Sequence, residues 1–244
     1  MKIISTLLIC SALAITMHVS AQNGVSLEIG VNQANRYLNA RTMKPFSNYM
    51  FGISWDRPIN DALYLRVGAG FAEDSKKLLE KEGDYVAAHK SYTISNFDIP
   101  VTVGYKKEMD KFSLFGEAGL FWSKHLNGNM NVVVDNCNKN TIYTTERNEN
   151  IWFGKDVNDW RKFDLGFLVK AGVEYKNFEL AGSFAMGLLD QTNASGVVYR
   201  SMSVWKDTKT MTTFDYGITP EAVKRLTVTL SYRFDVSEGK AKVE

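Results

Sequence analysis

Apolar and polar residues alternate with a period of two over eight separate stretches, and no other feature constrains the fold as tightly. The stretches run 25–31, 49–55, 63–71, 97–105, 112–122, 163–175, 178–188 and 226–234. Val25, Leu27, Ile29 and Val31 alternate with Ser26, Glu28, Gly30 and Asn32 in the first, and Leu226 to Phe234 repeats the pattern in the last. The fifth is looser, because Phe115 and Phe121 fall on the face that carries Glu117 and Gly119. Side chains along a strand point to opposite faces in turn, so each stretch predicts a strand with one apolar face.

The connections alternate as regularly as the residues. Those around 57–61, 106–110 and 176–177 are short, whereas 34–47, 73–92, 124–160 and 190–222 are long. In an antiparallel up-and-down barrel every short turn then lies at one end and every long loop at the other. Aromatics close both ends of the apolar face. Trp55, Tyr105, Phe112, Tyr175, Phe178, Tyr232 and Phe234 mark the turn end, and Tyr49, Phe71, Phe97, Trp122 and Phe163 mark the loop end. Two aromatic girdles around an aliphatic band are what a lipid-facing barrel surface requires. The fold expected is therefore all-β: an eight-stranded antiparallel transmembrane β-barrel with short periplasmic turns and long extracellular loops.

Composition excludes the alternatives. Among 244 residues, 29 are Lys or Arg and 27 are Asp or Glu, a balance that lacks the basic excess of a nucleic-acid binder. A mean hydropathy of −0.21 leaves no room for a helical bundle in the membrane. A soluble lipocalin-like binder would share the strand count but would expose the aromatic rings to water.

Residues 1–21 read as a secretory signal: Lys2, an apolar run from Ile3 to Ile15, and a small-residue cleavage site at Ser20-Ala21 before Gln22. The domain reading is 1–21 signal peptide, 22–236 outer-membrane barrel and 237–244 a short C-terminal tail. Processing removes Cys10 and leaves Cys137, read as an incidental loop cysteine that cannot form an internal disulfide.

Four segments carry a family likeness. Thr93 to Lys106, with Ile99-Pro100 in the middle and Tyr105-Lys106 at its end, resembles a segment of the small PorT-like, porin-family outer-membrane β-barrel domains. Phe112–Phe121, Phe163–Tyr175 and Phe178–Leu188 are similar to the strands that follow it there. The resemblance implies a Gram-negative cell envelope and the outer membrane. It implies no catalytic residue, and it points to porin-like or secretion and assembly roles.

Parity places Glu28, Asp56, Arg66, Asp98, Glu117, Asp164, Lys170, Glu174, Glu179, Arg225 and Arg233 inside the barrel. Eight strands leave an interior wide enough only for side chains. A plug of paired charges is therefore expected, and a narrow ion path is the sharper alternative. Gly68, Gly70, Gly104, Gly166 and Gly172 share that face and are read as making space for the long charged side chains. Loop residues Tyr143, Trp152, Phe153 and Trp160 are the candidate contacts for an extracellular protein or glycan ligand. Residues 76–81, Lys-Lys-Leu-Leu-Glu-Lys, suggest a short helical turn.

Catalytic chemistry finds little support. Beyond the signal the histidines are His89 and His125, both assigned to loops, so no strand offers the His that a barrel hydrolase needs beside its Ser. No His or Cys pair has metal-ligand spacing, and calcium near Asp156 and Asp159 is the weaker reading of ordinary solvated loop acids. The expected protein is a non-enzymatic, cofactor-free monomer that binds outer-membrane lipid and acts structurally or through its loops. A narrow channel or a secretion factor is the alternative.

Overall fold

A computed structural model describes residues 23–34, 48–82, 86–138, 141–151, 153–154, 160–189, 198–205, 211–218 and 224–236. The signal segment and the tail after Val236 lie outside these residues. The strands are β1 (Asn23–Ala34), β2 (Asn48–Pro58), β3 (Leu63–Glu82), β4 (Val86–Glu108), β5 (Ser113–Asn138), β6 (Thr141–Asn150), β7 (Phe163–Tyr175), β8 (Phe178–Gly187), β9 (Val198–Trp205), β10 (Met211–Ile218) and β11 (Lys224–Val236).

Eight of them close a ring in the order β1–β2–β3–β4–β5–β7–β8–β11 and back to β1. Every neighbour is antiparallel, and the seam runs from Asn23 opposite Val236 to Ala34 opposite Arg225. These are the eight strands that alternation predicts. Closure removes both sheet edges, leaving no row of unpaired backbone groups facing lipid.

The surface is inverted relative to a water-soluble protein. Ile29, Leu180 and Val169 are 62%, 58% and 50% exposed, whereas inward Ser26, Thr102 and Thr229 are at most 3% exposed. At the loop end, Phe71 lies 5.2 Å from Phe51 and 5.1 Å from Phe97, and Trp122 stacks on Phe163 at 5.4 Å. At the turn end, Tyr232 meets Phe178 at 5.0 Å and Phe234 at 4.8 Å. Such spacings are those of interacting aromatic pairs, so these girdle residues pack ring against ring.

The short turns have local causes. The Asn60 side-chain oxygen accepts the backbone N–H groups of Ala62 and Leu63 at 2.9 and 2.8 Å, an Asx-type turn. Between β7 and β8, Lys176 takes a φ of 55°, and the Asn177 amide donates to the Arg233 carbonyl at 2.9 Å.

Beyond the loop-end girdle the structure departs from expectation. Strands β3, β4 and β5 have 20, 23 and 26 residues, about twice what a membrane-crossing strand needs. The expected helical turn at 76–81 is instead strand, with Lys76 opposite Tyr92 and Lys81 opposite Ala87. Cross-strand pairing overrides the helical propensity of that six-residue run. Cys137 lies on β5 rather than in a loop, and β6 continues the sheet beside it. The last long connection contains the β9–β10 hairpin. Inward faces of the extension bury Ile94, Met130, Val132, Val134, Ile151, Trp160 and Met202 as one apolar cluster over the barrel's loop end.

Candidate functional site: the charged lumen

All eleven charged residues assigned inward by parity point into the lumen, in layers set by strand register. Asp56 stands directly opposite Arg66 on the β2–β3 pair, so this inward ion pair joins cross-strand neighbours. Arg66 Nε donates to Asp56 Oδ1 at 2.5 Å and Nη2 to Oδ2 at 2.8 Å. The same guanidinium donates to both Glu179 oxygens, at 3.1 and 2.8 Å, and lies 2.7 Å from Glu117 Oε1. Five contacts to three carboxylates saturate its donors. Glu117 also accepts the Tyr64 hydroxyl at 2.8 Å and the Thr102 hydroxyl at 2.9 Å.

Beside this layer Lys170 reaches Glu28 at 3.2 Å, and Ser54 donates to the same oxygen at 2.9 Å. Toward the turn end, Lys106 bridges both Glu174 oxygens at 2.7 and 2.8 Å, with Arg233 at 3.9 Å. Toward the loop end, Arg225 donates to Asp74 at 2.8 and 2.6 Å and also to Asp98. Asn96 donates to Asp74 at 2.6 Å, and His125 Nδ1 lies 2.6 Å from the Asn96 carbonyl oxygen. Asp164 accepts the backbone N–H groups of Leu165 at 2.7 Å and Leu189 at 3.3 Å.

Two cavities separate these layers. One of about 320 Å³ opens at the turn end, bordered by Asp56, Asn60, Tyr64, Lys106, Glu174 and Arg233. One of about 100 Å³ lies at mid-lumen, between the Arg66 layer and Arg225. Arg66 borders both.

The glycines do a different job from the one alignment with the charges suggests. Gly104, Gly166 and Gly172 stand opposite Tyr64, Phe121 and Phe115 on neighbouring strands. A Cβ at each would collide with those rings, so these glycines admit inward aromatics rather than charges. Gly68 and Gly70 line the mid-lumen cavity.

The loop reading needs correction too. Trp160 is 2% exposed inside the apolar cluster and meets Tyr92 edge-on at 5.3 Å. Phe153 packs against it and lies 5.6 Å from the His125 ring. Both therefore pack the extension together, Trp160 fully buried and Phe153 half-buried. The side chains of Tyr143 and Trp152, with Asp156 and Asp159, lie outside the described residues. Among the described residues no three acidic, His or Cys side chains converge as a metal site.

Both histidines lie on strands, His89 on β4 and His125 on β5, and not in loops. His125 sits three residues beyond Trp122, outside the aromatic girdle. Burial pushes its imidazole below the ordinary 6.5, with Arg225 adding to the effect and Asp74 and Asp98 opposing it. Asp74, Lys106, Asn96 and His125 escape an alternation that stops at the girdles. Asp74 continues the parity of Gly70, and Lys106 that of Gly104.

Residues 20–193 match the family described as outer membrane protein beta-barrel domain, in agreement with this geometry. No curated protein matches the chain. Similar solved structures include the attachment invasion locus protein Ail of Yersinia pestis, at 10% identity and a TM-score of 0.36. Ail has also been solved with the heparin analogue sucrose octasulfate. Neisserial surface protein A (11%, 0.40) and a major outer membrane protein of Thermus thermophilus (14%, 0.38) are similar at the same level. Each alignment covers 88% of this chain and 100% of the other.

Proposed function

Because the chain belongs to the outer membrane protein β-barrel domain family and resides in the outer membrane, we propose that it is a non-enzymatic, sealed scaffold. Its working surface is the β-structure it holds outside the cell. The observation that carries this reading is the apolar cluster of Ile94, Met130, Val132, Val134, Ile151, Trp160 and Met202. Ile94 on β4 and Met130, Val132 and Val134 on β5 belong to strands that continue out of the barrel, which sets the cluster across the lumen's outer mouth. A dry plug there, above saturated ion pairs, opposes solute passage, and the same packing makes the projecting sheet rigid enough to present a ligand surface.

The surface would meet an extracellular protein or glycan, with the barrel as a monomer in lipid. The signal reading implies a mature chain starting at Gln22, which intact mass of membrane-extracted protein checks. Liposome swelling is the deciding experiment. Reconstituted protein is expected to admit no small sugars and to show at most rare, small conductances. Steady large currents would replace the scaffold with the channel reading, which the polar cavity at the turn end favours. The PorT-like resemblance keeps a secretion or assembly role as a further alternative, tested by secretion in a deletion strain.

A further inference from the structure

We propose that the β5–β7 flank of the barrel, just beyond the loop-end girdle, binds the phosphate headgroup of an outer-leaflet lipid through Lys124, Arg161 and Lys162.

Strand register brings the three cations together. Lys124 stands directly opposite Phe163 on the β5–β7 pair, and Arg161 and Lys162 are the two residues before Phe163. The His125 backbone N–H donates to the Lys162 carbonyl at 2.9 Å, so the pairing continues past the end of β7. Inside the barrel Arg66, Lys106, Lys170 and Arg225 each hold a carboxylate. Among the described residues no carboxylate lies within ion-pair distance of Lys124, Arg161 or Lys162. Their outward neighbours Trp122, Leu126 and Phe163 are apolar and 36%, 44% and 43% exposed. This patch therefore has one sign of charge, unlike the paired lumen. It is also one-sided, because β3 carries Glu73 at the corresponding step, two residues past Phe71.

Arg161 supplies an observation independent of the charge count. Its Nε is buried and has no hydrogen-bond partner in the protein. Packing thus holds in place a guanidinium whose donors are unused, which is costly unless an acceptor arrives. Phosphate oxygens are acceptors that a guanidinium and neighbouring ammonium groups take together. Depth selects a lipid over a soluble anion. Trp122 stacks on Phe163 at 5.4 Å in the girdle, and two residues of strand carry Lys124 about 7 Å farther out. Girdle aromatics sit at headgroup level, and the stems of Lys and Arg run along apolar surface to bring their charges there. The site rests on the outer-membrane location and is independent of the scaffold reading.

The test is native mass spectrometry of the refolded mature chain in uncharged detergent micelles. The micelles are doped with diphosphoryl lipid A or with the same lipid after dephosphorylation. The phosphorylated lipid is expected to bind about tenfold more tightly. Lys124→Gln, Arg161→Gln and Lys162→Gln together should bring that ratio close to one, with the heat-modifiable gel shift confirming a folded barrel. A matched change at the turn end, Arg57→Gln with Lys107→Gln and Lys111→Gln, should leave the ratio standing. Equal binding of the two lipids by the parent overturns the proposal, as does a full ratio kept by the first variant. Equal loss in both variants would mean that net charge alone decides, and this also overturns it. Inorganic phosphate should not displace the lipid; displacement at equal concentration would mean a soluble-anion site and refute the lipid. Should the first variant fail to fold, salt decides. The parent's ratio is expected to fall severalfold between about 50 and 500 mM ammonium acetate, and a ratio indifferent to salt refutes the site.

Discussion

Glu174 and Glu179 stand directly opposite each other on β7 and β8, an arrangement that destabilises a sheet when nothing separates the charges. Here they part company: Glu174 turns to Lys106 and Glu179 to Arg66. Arg66 thus resolves one repulsion while holding Asp56 and Glu117 as well. Arg66→Met keeps an unbranched, flexible, though shorter, side chain and removes the charge, leaving three buried carboxylates facing one another. Loss of about 3–5 kcal/mol is expected in urea unfolding of the liposome-folded protein. His125 gives the extension a pH dependence. Its folded-state value lies below 6.5, so the unfolded chain takes up the proton more readily. Its contribution is therefore complete above about pH 6.5 and declines as pH falls through that value toward the lower folded one. Protease resistance of the extension should follow this course, and His125→Gln should flatten it while Asp74, Asp98 and Arg225 remain. Inward direction was legible in the sequence because parity fixes it. Partners were not, since Arg66 meets Glu179 across 113 residues and Lys170 meets Glu28 across 142, distances that only barrel closure brings together.

At the scale of the strand, one face dissolves in lipid and the other is held by polar contacts. Val169 on β7 is 50% exposed on the outer face, while its neighbour Lys170 is 7% exposed inside. Val169→Lys places a charge on the lipid side near mid-strand and should cost about 2–4 kcal/mol of folding free energy in liposomes. An unchanged unfolding midpoint would mean that the parity of β7 is reversed. Strand identity was readable wherever lipid enforces alternation. Beyond the girdles that constraint lapses. Val132, Val133 and Val134 are consecutive apolar residues on β5, and β6 reads Thr-Ile-Tyr-Thr-Thr-Glu-Arg-Asn-Glu-Asn. Neither has a period that separates strand from loop, because water meets part of one face and the apolar cluster the other.

The whole molecule combines two solvents in one continuous sheet. Between the girdles, folding is driven by lipid exposure of the apolar face and by satisfaction of every backbone group. Outside them, β3, β4 and β5 enter water, where only a buried apolar cluster can keep paired strands from fraying. Trp160 is the largest member of that cluster and touches both Tyr92 and Phe153, so it ties β4 to the segment after β6. Trp160→Ala should therefore destabilise the extension by about 3–5 kcal/mol. The barrel should not notice, because none of its layers from Arg225 inward uses this residue. Limited proteolysis at the extension is expected to accelerate markedly, while the heat-modifiable gel shift of the barrel keeps its midpoint. Parallel loss of both would show a single cooperative unit. Sealing then follows from the same experiment: if the extension is the outer plug, the variant alone among surface-distal changes should raise the frequency of small conductance events, with Arg66 and Arg225 still barring steady flow.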